Sequence, residues 1–480
     1  MKTHILVEKN RYFDSITLMS LSQKVRELSG VSDCQIAMGT DHNKALFQDM
    51  GFNESQLSSA SAQDLIIGII GEASTLDTIN SETLLSLIQT PKEQKSTQEF
   101  RSISEIMSAD PEQDLALISV PGEYAAREAG LALDAGLHVM MFSDNVSLEK
   151  ERHLKEKAIQ KDLFMMGPDC GTAILEGLGL GFANAISKGP VGIVGASGTG
   201  IQEVSCLLDD FDIGVSHAIG TGGRDLHEEI GGLMALKGID FLSQDKETEL
   251  ICLISKPPHP EVAKKILSKL NSLSKASVIC FLGTEKEDHQ DPKITVCSSL
   301  TETALAIAKQ YDPTASLPKL EQSDSIEISG TVLGLFCGGT LCSEAKQILG
   351  KEHDLIDYGD DEYTKGRPHP MIDPSLRAEA LLKKGQSREY GAILLDFVLG
   401  FGSHSEPVDA IAPFIQNLQE IRKIPIFASV TGSRKDPQRT DLQKKKLKEL
   451  GVILAPSNAL AASSIKTCLV KEKTHVSSYH

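Results

Sequence analysis

Short apolar runs of four to eight residues alternate with longer amphipathic stretches along most of this chain. That is the pattern of parallel sheets covered by helices. The clearest stretch starts at Asp114-Leu115-Ala116-Leu117-Ile118-Ser119-Val120, whose composition predicts a buried strand. Pro121-Gly122 turns the chain, and residues 123–135 read as a helix stopped by Gly136. Strand 137–142, helix 147–160 and strand 163–166 follow. The order strand–helix–strand–helix–strand predicts a right-handed doubly wound sheet.

A second α/β unit opens at Val191-Gly192-Ile193-Val194, and a third at Val332-Leu333-Gly334-Leu335-Phe336. Between them, residues 312–324 are rich in Pro, Ser and charge and read as a linker. Residues 91–111 are polar and read as a surface excursion. The expectation is α/β, with three doubly wound, Rossmann- or flavodoxin-like parallel-sheet domains. They cover residues 1–187, 188–312 and 329–480, with a linker at 313–328. A length of 480 residues suits three domains at roughly 100–200 residues each.

A formal net charge of −18 argues against non-specific attraction to nucleic acid or to an anionic membrane. An anion would have to be held at small sites by local Arg residues and oriented backbone amides. The nine cysteines include no C-x-x-C pair, and Cys252 sits in the apolar run Leu250-Ile251-Cys252-Leu253-Ile254. This usage suits a reducing compartment, and no metal site is expected. The first ten residues are too weakly apolar for a signal peptide, and no segment approaches the ~20 apolar residues that cross a bilayer. The expected location is the cytoplasm.

Candidate chemistry lies at strand ends. Gly195-Ala196-Ser197-Gly198-Thr199-Gly200 stands between a strand and a helix. Glycines allow close backbone approach, and a helix start offers unpaired N–H groups, so the run reads as a phosphate cradle or as a tight structural turn. Gly220-Thr221-Gly222-Gly223-Arg224-Asp225 repeats the placement, and Arg224 is either an anion clamp or the structural partner of a neighbouring acid. His217, just before it, reads as a buried, hydrogen-bonded histidine.

Cys337-Gly338-Gly339-Thr340 repeats the device in the third unit. The stretch from Asp357 to Pro374 is a loop, because its prolines exclude helix and central strand. Within it Arg367 and His369 flank Pro368, which could hold both side chains in one place. Gly400-Phe401-Gly402-Ser403-His404 and Thr431-Gly432-Ser433-Arg434 follow two further strands, and Arg434 is a second candidate clamp. His217, His289, His369 and His404 are the histidines to weigh as catalytic groups.

The run Gly167-Pro168-Asp169-Cys170-Gly171-Thr172, the 191–200 turn and Gly222-Gly223-Arg224-Asp225 together resemble the α subunit of succinyl-CoA synthetase. The third unit, with Asp396, Gly400-Phe401-Gly402 and Thr431-Gly432-Ser433, is similar to the last domain of its β subunit. A resemblance to the FdrA family covers the whole chain. It is carried by Met38-Gly39-Thr40, Asn43-Lys44-Ala45-Leu46, Pro121-Gly122-Glu123-Tyr124-Ala125-Ala126, Met140-Met141-Phe142-Ser143-Asp144-Asn145-Val146 and Gly366-Arg367-Pro368-His369-Pro370-Met371-Ile372-Asp373-Pro374. On the synthetase plan the domains would be a CoA-binding type, a ligase type and a second ligase-CoA type.

The chain departs from the synthetase pattern at several points. Where the synthetase has Gly-His-Ala-Gly, this chain reads Gly283-Thr284-Glu285-Lys286-Glu287-Asp288-His289-Gln290, and Ser255-Lys256-Pro257-Pro258 replaces the supporting Glu and its Gly-Gly pair. The glycine-rich turn that grips CoA is missing from the first domain, and no segment is free to form an ATP-grasp domain.

The resemblance to FdrA implies the large subunit of an oxamate carbamoyltransferase in allantoin breakdown. That enzyme splits oxalurate with phosphate into oxamate and carbamoyl phosphate, alongside other subunits. Phosphate or carbamoyl phosphate is then a substrate, and CoA stays open as a ligand. Alternatives are an NDP-forming acyl-CoA synthetase subunit with a separate ATP-grasp chain, or a non-catalytic metabolite-binding scaffold. On the carbamoyltransferase reading His369, Arg367 and Arg224 act in catalysis. Ser197, Gly198, Thr199, Gly200, Gly222, Gly223, Gly338, Gly339, Thr340, Gly402 and Arg434 hold phosphate and substrate.

Overall fold

A computed structural model of the chain describes residues 2–76 except 10, 12, 14 and 27, then 79–80, 84, 100–283, 291–318, 320, 326–364 and 367–470. His289 and Gly366 lie outside the described residues, as do residues 91–99 of the expected surface excursion. The remainder of that excursion includes a short helix, Ile103–Ala109.

The first 187 residues divide, where one Rossmann-like domain was expected. Strands Lys2–Glu8, Leu65–Gly71 and Val31–Met38 form an antiparallel sheet with Leu65–Gly71 in the middle. Leu65, Ile66, Ile67 and Ile69 of that strand are fully buried, so it needs cover on both faces and a neighbour on both edges. A separate parallel sheet is built from Leu115–Ile118, His138–Met141 and Met165–Met166. Its connecting helices, Gly122–Asp134 and Leu148–Gln160, fall within a residue of the periodicity-based expectation. The hairpin Thr172–Leu175 and Leu178–Gly181 leaves this unit and pairs antiparallel with Val215–Gly220 of the next sheet.

The second unit's parallel strands lie in the order Ile294–Cys297, Ala276–Phe281, Leu250–Ser255, Val191–Gly195, Val215–Gly220. The third unit repeats this with Asp354–Asp357, Thr331–Phe336, Tyr390–Val398, Ile426–Thr431 and Ile453–Leu454. In both, the chain reverses its direction of travel across the sheet beside the first strand. A crevice opens there, at the carboxyl ends of the first and third strands. This is the α/β fold read from the sequence.

The two larger sheets share one core. Ile201, Val204 and Leu208 of helix Gly198–Asp210 belong to the same hydrophobic cluster as Leu341 and Ala345 of helix Gly339–Leu349 and Ala461 and Ile465 of helix Asn458–Cys468. Residues Thr199 to Asp209 are all buried, so the polar members of this central helix need partners. Glu203 has them: its carboxyl accepts from Asn458 N at 3.1 Å and from the Thr431 hydroxyl. The end of the expected linker is held as well, since Ile328 is 1% exposed and bridges Leu469. No helix among the described residues is long and apolar enough to cross a membrane.

Candidate active site

The loops at the carboxyl ends of all three parallel sheets surround one cavity of about 520 Å³. The first unit contributes Ser119–Pro121, Phe142–Asp144 and the turn at Asp169–Thr172; the second contributes Ser197–Thr199, Gly222, Gly223 and Lys256. From the third come Gly339, Thr340, Asp357, Gly359–Asp361, Thr364, Arg367 and His369. Nine of the expected site residues therefore meet: Ser197, Gly198, Thr199, Gly222, Gly223, Gly339, Thr340, Arg367 and His369.

Ser197 caps helix Gly198–Asp210, its hydroxyl accepting from Gly200 N at 2.9 Å. Gly200 thereby spends its amide inside the cap, whereas the amides of Gly198 and Thr199 have no protein partner among the described residues. The same hydroxyl shares a 2.6 Å hydrogen bond with Thr340 Oγ1, tying the helix starts of two domains together. Gly222, at φ 84, lies so close to the Gly167–Asp169 turn that a Cβ there would sit 2.3 Å from Pro168 O. Only glycine can stand at that crossing.

Two turns expected to hold external anions are filled by the chain's own carboxylates. Asp396, fully buried, accepts from Cys337 N and Gly338 N, each at 2.7 Å, and is paired with buried Arg377 at 2.6 Å. The amide of Gly338 is thus committed, and the opening left to a ligand begins at Gly339. At the 431–434 turn, Asp436 accepts from Ser433 N at 2.7 Å, Ala185 N at 2.7 Å and Asn184 Nδ2 at 2.6 Å. Arg434 points elsewhere, 60% exposed and 3.7 Å from Asp212. Gly402, at φ 78, packs on the Phe182 ring and lies outside the cavity.

Arg224 takes the structural alternative left open by the sequence. Its guanidinium donates to Val146 O at 2.7 Å and pairs with Glu151 at 2.7 Å. Glu151 and Asp225 in turn hold the fully buried Lys155, each at 2.8 Å. This network stitches helix Leu148–Gln160 to the Gly222–Asp225 turn. His217 is 6% exposed, accepts from Glu176 N at 3.3 Å and packs edge-on to Phe241. His404 accepts from Glu406 N at 3.0 Å, outside the cavity lining.

His369 accepts from Met371 N through Nδ1 at 3.2 Å, which assigns the ring proton to Nε2. Nε2 lies over Gly359, where a Cβ would come within 2.7 Å of it. Burial, then the charge of Arg377, pushes this imidazole down to about 4, so the ring is neutral near pH 7. A neutral Nε2–H donates a hydrogen bond; it does not arrive as an imidazolium acid.

Three cavity residues were given no role of their own in the sequence reading. Lys256, at the end of Leu250–Ser255, has an ammonium without an ion-pair partner among the described residues and acts on Asp169 and Asp357 across the cavity. Burial raises the Asp357 carboxyl, partly offset by a hydrogen bond from Gly359 N at 2.9 Å. Asp169 lines the cavity and is exposed to solvent there, with protein atoms crowding its carboxyl from the cavity wall. Burial, then Asp144 and Asp361, pushes it up to about 6. The available signal was position, since Asp169 and Lys256 follow strands that end at the shared crevice and Asp357 ends one, together with the place of Asp169 in the run that resembles the synthetase.

Three family models match the chain: an AllF heavy metal-associated domain over residues 1–102, a CoA binding domain over 186–283 and a CoA-ligase over 335–468. The uncharacterized protein YahF of Escherichia coli (strain K12) is 40% identical over 504 residues, covering 95% of this chain and 97% of that protein. The ADP-forming succinate–CoA ligase subunit alpha of Aquifex aeolicus (strain VF5) is 31% identical over 29% of this chain and 46% of the subunit. The chain thus spans about half the length of that subunit. Among solved structures, a dinucleotide forming acetyl-coenzyme A synthetase of Ca. Korarchaeum cryptofilum aligns with a TM-score of 0.36 at 14% identity, over 79% of this chain and 86% of that one.

The groups these descriptions imply meet a mixed fit. Residues 1–102 contain a single cysteine, Cys34, which is fully buried and has its thiol pushed up to about 12 by that burial. No group of three or more His, Cys, Asp or Glu among the described residues is arranged to hold a metal ion, so this domain does not fit a heavy-metal site. CoA is the cofactor to which two of the models point. Within the span that the CoA binding model matches, the Gly198 and Thr199 amides are open to a phosphate of such a ligand, whereas the turn after Leu115–Ile118, outside that span, runs Ser119-Val120-Pro121-Gly122, with Pro121 lacking an N–H and Gly122 packed on Asp144 O. That turn does not fit a backbone grip on a pyrophosphate. With its CoA-binding and CoA-ligase domains joined in one chain and its full-length likeness to YahF, the protein belongs to the FdrA family, whose plan is that of succinyl-CoA synthetase.

Proposed function

We propose that this chain is the large subunit of a carbamoyltransferase that moves a carbamoyl group between oxamate and phosphate, working with other subunits. The observation that supports it most is the meeting, in one cavity, of unpaired helix-start amides with two cations that have no ion-pair partner among the described residues. Phosphate would take the amides of Gly198 and Thr199 with the Lys256 ammonium, and further donors come from Gly339, Thr340 and the Gly222–Gly223 turn. The planar carboxylate of oxalurate would take the fork of Arg367. His369 would donate Nε2–H to the carbamoyl oxygen as negative charge gathers there. Bringing two reactants into one frame supplies much of the rate, and no covalent intermediate on the protein is required.

The test is to purify the chain with its native partner subunits and assay oxalurate phosphorolysis and its reverse, beside nucleotide-dependent CoA ligation. Carbamoyl phosphate formed without nucleotide is the expected result, with Lys256→Met and Arg367→Ala each raising the KM of one substrate. The matches to CoA-binding and CoA-ligase models favour a second reading, an acyl-CoA ligase subunit completed by a nucleotide-binding chain. CoA thioester formation that depends on nucleotide, with no carbamoyl phosphate, would put that reading first.

A further inference from the structure

The carbamoyl-transfer reading leaves one step without a group to perform it: the departing amide nitrogen needs a proton, and His369 is neutral. Asp169 lines the same cavity. It follows the cis Gly167–Pro168 bond, sits at φ 55, and is anchored by Asp169 N donating to Ser143 O at 3.0 Å. Asp tolerates this left-handed conformation better than most residues. Its carboxyl lines the cavity beside the Gly222–Gly223 turn, where a Cβ on Gly223 would lie 3.6 Å from Oδ2. Among the described residues it makes no hydrogen bond or ion pair within the protein. An unpaired carboxyl facing the space where three domains meet is available to substrate.

We propose that Asp169 is the catalytic proton carrier of this site, an assignment that rests on the carbamoyl-transfer reading. An oxygen of hydrogenphosphate forms a bond to the carbamoyl carbon of oxalurate, and the bond from that carbon to the amide nitrogen breaks. The carboxylic acid of Asp169 gives its proton to the leaving nitrogen, which completes oxamate. The resulting carboxylate takes the proton of the phosphate hydroxyl, completing carbamoyl phosphate. Three negative charges and four hydrogens enter with the substrates and leave with the products, so the carrier ends as it began.

The surroundings suit that traffic. Asp144 and Asp361 face Asp169 and favour its acid form, while Lys256 and Arg224 favour the carboxylate. The crowding of the cavity wall together with these charges raises the carboxyl to about 6, towards the range that suits proton transfer. Nothing in this needs the acids to act as a cluster; each is a neighbour that tunes one carboxyl.

The experiment uses the assembled complex with Asp169→Asn and Asp169→Glu. Asn keeps the size and tolerates the same backbone conformation, so the fold should hold, as thermal melting would record. Asp169→Asn should lower kcat about 10²–10⁴-fold with the KM for phosphate nearly unchanged, and should remove the pH–rate limb near 6. Asp169→Glu should recover part of the rate. Independently of turnover, carboxyl ¹³C spectra of wild type and Asp169→Asn should differ by one resonance titrating near 6. An Asp169→Asn complex with wild-type kcat and pH profile, or a resonance titrating below 5, overturns the assignment. A wild-type complex that forms no carbamoyl phosphate sinks the underlying reading and this assignment together, a result that cannot be mistaken for the first.

Discussion

Ser197 and Thr340 stand 143 residues apart in the chain, yet their hydroxyls share a 2.6 Å hydrogen bond between the first helices of two α/β domains. Ser197 is also the cap of its helix, so a single oxygen sets both the helix start and the spacing of the domains. The cavity wall on this side depends on that spacing.

Thr340→Val removes the bridge and keeps the shape. It should cost about 1 kcal/mol, the usual net value of such a bond, read as a lower urea midpoint with unchanged slope. Ser197→Ala should cost more, because the cap goes as well. In the double variant the losses should fall short of their sum by at least about 0.5 kcal/mol. Strict additivity would mean that the two helix starts are not coupled through these hydroxyls.

Arg377 and Asp396 are both buried, and Asp396 also receives the amides of Cys337 and Gly338. Arg377→Met should therefore destabilise the chain by about 3–5 kcal/mol, since it strands a buried carboxylate. Far-UV circular dichroism during heating would record it; the chain has no tryptophan to report by fluorescence. A melting temperature within a degree or two of wild type would refute the view that this pair holds the Gly338 turn.

Glu344 predicts a pH effect. Burial, and after it the nearby Glu203, raises this carboxyl to about 7, against hydrogen bonds from Asn458 and Leu300 N that favour the charged form. The folded state thus holds a proton that the unfolded state releases near 4.5. The contribution is complete below about 4.5 and is lost as pH rises through 7, up to about 3 kcal/mol in all. A protonated Glu344 and a glutamine in its place are both uncharged and of the same size, so they present the same burial cost. Glu344→Gln should match wild type near pH 5 and exceed it in stability at pH 8. Equal denaturant midpoints for the two proteins across that range would contradict the sign. His369 works in the opposite sense, costing stability as pH falls from about 6.5 towards 4.

Much of the fold was legible in the sequence because strand and helix periodicity are local. Apolar runs marked Leu115–Ile118, Val191–Gly195, Leu250–Ser255 and Thr331–Phe336, and the glycine-rich turns after the second and fourth of these marked the site end of the two larger sheets. The antiparallel character of residues 2–71 was not legible, since strand pairing is a non-local choice that periodicity does not encode. The transfer of hairpin 172–181 to the neighbouring sheet was missed for the same reason.

At the site, the sequence by itself determined which turns could approach an anion, because glycine content and helix starts are local properties. Only the tertiary structure decided which of them are vacant. Gly338 and Ser433 look like Gly198 in sequence, but Asp396 and Asp436 reach their amides from elsewhere in the fold. Arg224 and Arg367 are equally plausible clamps on paper, yet Glu151 pairs with the first, and the second makes no ion pair among the described residues. Asp169 and Lys256 stand in runs compared with the synthetase but receive a role only when three sheet ends are brought around them. A side chain's chemistry depends on burial and on the charges facing it, and both are set by residues far away in the chain.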